Sequence, residues 1–301
     1  MISPFVRRLR LASEVRRLRT EAGLTHDQLA RRIGQSRAQI SRLENGHIVD
    51  QADVLAILDT LGVDGERWTQ IVTIAREAGE RGWWEYHRAM GERQKRYADL
   101  EAGATTIREY QQNFIPGLLQ TPEFVRARTD AAAELEPMEG TSVDAVLAGR
   151  AGRQRMLRRP GAPSYEVVID EVAIRRLSAP PEIVKAQLHH LAAIVTAEDT
   201  PAGGPSEAQP GSGQLTLRVL PVDARIDGYT VPRSAFSIYT YPDPGDPTVV
   251  AVDTITDDLL LTSPDVVDRY QQLYQRLRDA ALSQQDSLDL LTKAAEEMDR
   301  R

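Results

Sequence analysis

Wound at 100° per residue, Arg37, Ala38, Ser41 and Arg42 occupy an arc of about 140°, while Ile40 and Leu43 lie about 60° apart on the opposite side. A short helix with this pattern has an apolar underside and a basic face without bulky side chains, narrow enough to enter a major groove. An arginine there can donate two parallel hydrogen bonds to guanine O6 and N7, with a discrimination of about 1–3 kcal/mol per good pair. Ala38 can offer no more than a methyl contact to thymine. The chemistry such a face could offer is contact with a base edge; a solvated helix surface fits the same pattern.

Charge is distributed to match. The 301 residues carry a formal net charge of -7, yet residues 1–46 hold ten arginines against Glu14, Glu21, Asp27 and Glu44. A basic module on an acidic body suits a polyanion partner; an arginine-rich helix face in solvent gives the same count, and charge alone does not separate the two. Cysteine is absent, which excludes disulfides, thiol catalysis and cysteine-built metal sites. No apolar stretch is long enough for a membrane span and no secretory signal is visible, so a soluble cytoplasmic protein is expected.

The elements that must hold the basic face are legible between residues 11 and 78. Leu11, Val15, Leu18 and Ala22 form one helical stripe that Gly23 ends. Thr25-His26-Asp27-Gln28 and Ser36-Arg37-Ala38-Gln39 are capping boxes, each satisfying two free amide donors at a helix start. Gly34 supplies a sharp turn, and Asn45-Gly46 a left-handed stop. Val54, Leu55, Leu58 and Leu61, then Trp68, Ile71, Val72 and Ala75, continue the period. Residues 1–79 are expected to form a compact all-α, five-helix domain. Ala30 lets the second helix approach the third closely, with Ile40 and Leu43 filling the space beneath.

Residues 80–301 read as a separate α+β domain with a small, mostly antiparallel sheet. Helices are expected over 88–110, 122–133, 143–157, 181–196, 264–277 and 287–298. Strands are expected over 165–169, 215–220, 235–241, 248–253 and 259–261. Residues 197–214, rich in Pro, Gly and Ser, read as a flexible loop.

The stretch GLTHDQLARRIGQSRAQISRLENG (23–46) resembles the Xre, or phage-repressor-like, helix-turn-helix family. The resemblance implies a lambda-repressor-like fold for residues 1–79, with 36–44 as the recognition helix. It places Ser36, Arg37, Ala38, Ser41 and Arg42 against base edges or neighbouring phosphates, with His26, Asn45, Arg31 and Arg17 around them. The family usually has glutamine, as a phosphate contact, where this chain has His26. The region after Asn45-Gly46 is also less basic than in many relatives, so phosphate affinity would lean on Arg16, Arg17, Arg31 and Arg32. Each of these four reads equally as solvated helix surface. Arg19 and Glu44 match a structural pair that bridges the first and third helices.

Trp83-Trp84, IPGLLQTPEF (115–124), VVIDEVAIRR (167–176) and RLRDAALSQQDSLDLL (276–291) resemble actinomycete helix-turn-helix regulators that carry a C-terminal domain of unknown function. That resemblance implies a regulatory, dimerising domain and a small neighbouring-gene partner protein or small-molecule effector. Residues 80–301 contain no phosphate-binding loop, G-x-S-x-G or H-E-x-x-H. His189 and His190 are adjacent and would diverge by about 100° on a helix. Asp170-Glu171 beside Arg175-Arg176 fits a surface ion-pair group better than an acid–base site. No catalytic residue, metal or cofactor is expected.

The expected function is a sequence-specific transcriptional regulator that binds two-fold operator DNA as a homodimer. An enzyme or toxin-like effector with an autoregulatory helix-turn-helix, and a protein-interaction scaffold, are the competing readings.

Overall fold

A computed structural model describes residues 2–48, 50–87, 90–133, 142–198, 213–254 and 257–300. Residues 199–212, most of the stretch expected to be a flexible loop, lie outside the described residues. The chain divides into two compact units. One comprises Met1–Tyr86 together with Ala98–Ala104 and Tyr241–Pro247; the other comprises His87–Tyr97, Thr105–Thr240 and Thr248–Arg301.

The first unit contains α1 (Pro4–Glu21), α2 (His26–Arg32), α3 (Arg37–Glu44), α4 (Gln51–Thr60) and α5 (Gly65–Ala78). Ser3 starts α1 by accepting a hydrogen bond from the Val6 amide, with Pro4 in the first turn, where its missing N–H goes unused. Leu11, Val15 and Leu18 are buried with Leu29, Ala30, Ile40, Leu43, Val54, Ile57, Leu58 and Ile71 in one core. Ala22, read as part of that stripe, is instead the exposed cap at the end of α1. Gly23 and Gly34 take positive φ of 66° and 70°, the left-handed geometry these two turns require.

The second unit contributes α6 (Glu92–Gly103, whose last residues belong to the first unit), β1 (Thr106–Gln111), α7 (Pro122–Ala133), α8 (Val143–Met156) and β2 (Ser164–Asp170). α9 (Glu171–Arg175), α10 (Pro181–Glu198), β3 (Leu215–Leu220), β4 (Phe236–Thr240), β5 (Val249–Val252), β6 (Leu259–Leu261), α11 (Pro264–Ala280) and α12 (Gln284–Glu297) follow.

Six strands form one mixed sheet in the order β3-β2-β1-β4-β5-β6. The β1–β2 and β2–β3 ladders are parallel; the other three are antiparallel. One expectation is refined and one needs correction. The sheet is mixed, with three antiparallel ladders of five, because the buried Val167-Val168-Ile169 run of β2 lies between two parallel neighbours. The helix expected over 88–110 is shorter, and its end is a central strand: Gly103 closes α6, and the β-branched Thr106-Ile107 opens β1. On one face, Tyr110, Val168, Phe236, Ile238 and Val250 pack with Tyr274 and Leu277 of α11.

β1 also introduces a buried carboxyl. Glu109 accepts hydrogen bonds from the Tyr165 hydroxyl at 2.6 Å and the Gln111 amide at 2.8 Å. Burial pushes its pKa up to about 7 against the pull of those two donors. The folded value lies above the unfolded one, so the native state holds the proton more tightly. Stability conferred by protonated Glu109 is therefore complete at acid pH and declines as pH rises from about 4.5 toward 7. Glu109→Gln is expected to remove this slope, a difference of order 3 kcal/mol between pH 5 and pH 8 in urea titrations. An unchanged slope would mean that Glu109 does not titrate in that range.

Candidate nucleic-acid interface

The turn between α2 and α3 is tightly braced. The Gln35 amide donates to the Ala30 carbonyl at 2.9 Å, and Gln35 Nε2 reaches Asp53 Oδ1 on α4 at 2.5 Å. Both capping boxes are formed: Thr25 with Gln28, and Ser36 with Gln39. Gly46 follows α3 at a φ of 76°, and a Cβ there would stand 3.2 Å from Leu9 Cδ2, so the exit from α3 is also sterically set.

Replacing Ser36 with alanine removes the acceptor for the Gln39 amide, 3.2 Å away. A loss of about 1 kcal/mol is expected, read as a lower unfolding midpoint of the first unit. No loss would show that the cap contributes nothing to holding α3.

Glu44, the last residue of α3, is the electrostatic anchor. Its side chain is 2% exposed. Arg19 grips it with Nε at 2.5 Å and Nη2 at 2.8 Å from the two carboxylate oxygens, the bidentate fork expected of a structural pair. Two further side chains converge on it. His26 Nε2 lies 3.0 Å from Oε2, and Arg16 donates to the Glu44 backbone carbonyl at 2.6 Å with its Nε 3.5 Å from Oε2. Burial pushes the carboxyl up, but the hydrogen bonds from Arg19 and His26 outweigh it and hold Glu44 below the usual carboxylate range.

The residues expected to form the site therefore fall into two groups. Arg37, Ala38 and Arg42 are exposed on α3, with Ser36 at its start and Ser41 half-buried on the next turn. Among the described residues, neither Arg37 nor Arg42 has a carboxylate within ion-pair distance. Asn45 caps α3 and is exposed, its Nδ2 3.4 Å from Ser41 Oγ. Arg31 is exposed at the end of α2 and bonds the Asp27 carbonyl within its own helix.

The others are engaged elsewhere. Arg17 pairs along α1 with Glu14 at 2.6 Å and Glu21 at 3.6 Å. The His26 ring is turned onto Glu44. The convergence of Arg16 and His26 on Glu44 was missed in the sequence, although Arg16 and Arg19 are spaced i, i+3 on one face of α1.

In the second unit, Glu171 pairs with Arg175 at 2.5 Å, and Arg175 reaches Glu297 at 2.8 Å. Among the described residues there is no cluster of His, Asp and Glu able to hold a metal ion, and no helix is long and apolar enough to cross a membrane.

Two family models match the chain. Residues 10–68 match a helix-turn-helix domain. Residues 94–200 and 208–293, more than half of the chain, match a domain of unknown function designated DUF5753. The chain belongs to the DUF5753 family. No curated protein and no solved structure shows significant similarity to it. In this DUF5753 chain the helix-turn-helix match runs from within α1 into the start of α5 and suggests DNA binding and a role in transcription.

Proposed function

We propose that this chain is a sequence-specific transcriptional regulator of the Xre type, acting in the cytoplasm on double-stranded DNA through α3. It binds as a homodimer to a two-fold operator, with half-sites about one helical turn, or 34–36 Å, apart. The residues of the second unit serve dimerisation and the sensing of a small-molecule effector or small partner protein, and they bind rather than catalyse.

The observation that carries this reading is the contrast among the arginines. Arg16, Arg17 and Arg19 are held by carboxylates, whereas Arg37 and Arg42 stand exposed on one capped, anchored helix. Free guanidinium forks on a pre-set helix suit base edges, because little ordering remains to be done on binding.

Selection of duplexes from a random pool by the full-length protein, followed by footprinting, tests it. Enrichment of a palindromic site at a stated salt concentration is expected. Failure to enrich any sequence over the starting pool would refute the assignment.

A further inference from the structure

The first unit is not built from residues 1–86 alone. Asp99, 7% exposed, accepts hydrogen bonds through Oδ1 from Ser3 Oγ at 2.7 Å and from the Phe5 amide at 3.2 Å, so it shares the start of α1 with the Ser3 cap. Its Oδ2 lies 3.8 Å from Arg8. Arg7 Nη1 donates to Asp243 at 2.8 Å and Asp246 at 2.9 Å, while its Nε stands 2.9 Å from Glu77 on α5. The two segments also meet each other: the Tyr241 hydroxyl donates to the Leu100 carbonyl at 3.1 Å.

Steric fit is equally close. A Cβ on Gly103 would fall 2.6 Å from the Ser3 backbone nitrogen, a contact that no side-chain rotation relieves. In the turn 241–247, Asp243 accepts the Gly245 amide at 2.9 Å, which fixes the loop that presents its carboxylates.

These contacts act on the same helix that holds the recognition helix. Arg7 and Arg8 lie near the start of α1, and Arg16 and Arg19, which grip Glu44 of α3, lie near its end. Eight to twelve residues separate the two sets, about 12–18 Å along the axis. One continuous helix thus connects the 98–104 and 241–247 clasp to the anchor of α3. The clasp in turn is joined through the chain to β1, three residues beyond Gly103, and to β4, which ends at Thr240.

We infer that the clasp formed by residues 98–104 and 241–247 is a conformational device that sets α1, and through Glu44 the recognition helix, in its DNA-competent position. The inference rests on the DNA-binding reading above and adds its regulation. If clasp and DNA affinity are coupled, linkage requires DNA to tighten the clasp by the same factor that the clasp strengthens DNA binding.

Hydrogen exchange on the full chain, with and without the selected duplex, tests this reciprocity. Duplex is expected to slow exchange in 98–104 and 241–247 as well as in 36–44. The double variant Asp243→Asn/Asp246→Asn should bind the duplex at least about fivefold more weakly. Gly103→Ala, which leaves every charge in place, should do the same. A merely structural clasp would lower thermal stability in these variants without any response of 98–104 and 241–247 to DNA. Protection confined to 36–44 in the wild type, or wild-type affinity in the folded variants, would overturn the inference. No duplex-dependent protection of 36–44 at all would instead remove the DNA reading, and the clasp's role with it.

Discussion

Glu44→Ala is expected to destabilise the first unit by about 3–5 kcal/mol, the usual cost of removing one partner from a buried ion pair. The carboxylate lies at the meeting point of α1, α2 and α3, and the two arginines on it do not lose equally. Arg19, 14% exposed, keeps only its bond to the Leu24 carbonyl and is left charged with little solvent. Arg16, 57% exposed, can turn into water. Most of the penalty therefore lies with Arg19.

Pairing Glu44→Leu with Arg19→Met should recover much of the loss, because no stranded charge remains. The pH dependence follows from the direction of the Glu44 shift. A depressed folded pKa adds stability that is complete above the ordinary carboxylate range, and that stability is lost as pH falls through the folded value. Urea titrations at neutral pH and below pH 4 should therefore differ in wild type and converge toward the variant in acid. An unfolding midpoint unchanged by Glu44→Ala would show that the anchor is dispensable.

The first unit was legible in the sequence because its signals are local. Capping boxes lie within four residues, the turn glycines have one permitted geometry, and Leu11, Val15 and Leu18 repeat at the helical period. Glu44 was legible only as a partner of Arg19. That His26 and Arg16 share it depends on the crossing of three helices, which no local spacing encodes.

In the second unit, β1 was hidden for a physical reason. Thr106–Gln111 carries Arg108, Glu109 and Gln111, polar residues that prolong the pattern of α6 when read along the chain. Burial of Glu109 and Gln111 is set by neighbours at residues 164–169 and 236–240, while Arg108 stays exposed. The acidic segments at 98–104 and 241–247 were likewise read as part of an acidic body. Only the fold brings Asp99, Asp243 and Asp246 onto α1, where they pair with Arg7 and Arg8, arginines that the charge count left open between a polyanion and solvent.

Removing both guanidinium groups from α3 is the substitution expected to affect DNA binding most. Each bidentate arginine–guanine contact discriminates by about 1–3 kcal/mol, so Arg37→Ala/Arg42→Ala should lower specific affinity by roughly a hundredfold or more. Both side chains are exposed, so thermal stability should move by less than about 0.5 kcal/mol. Arg42→Lys separates the two parts of the effect. It keeps the positive charge and hence the salt dependence, but loses the planar fork and with it discrimination at one base pair. Arg17→Ala is the matched control: that side chain is held by Glu14 and Glu21, and its loss should change affinity less than threefold, within the range of about 0–1 kcal/mol for exposed charges. Binding isotherms for specific and scrambled duplexes at two salt concentrations distinguish these cases. If the double alanine variant keeps the wild-type ratio of specific to scrambled affinity, sequence is not read by α3. The free guanidinium groups would then be no more than solvated charge.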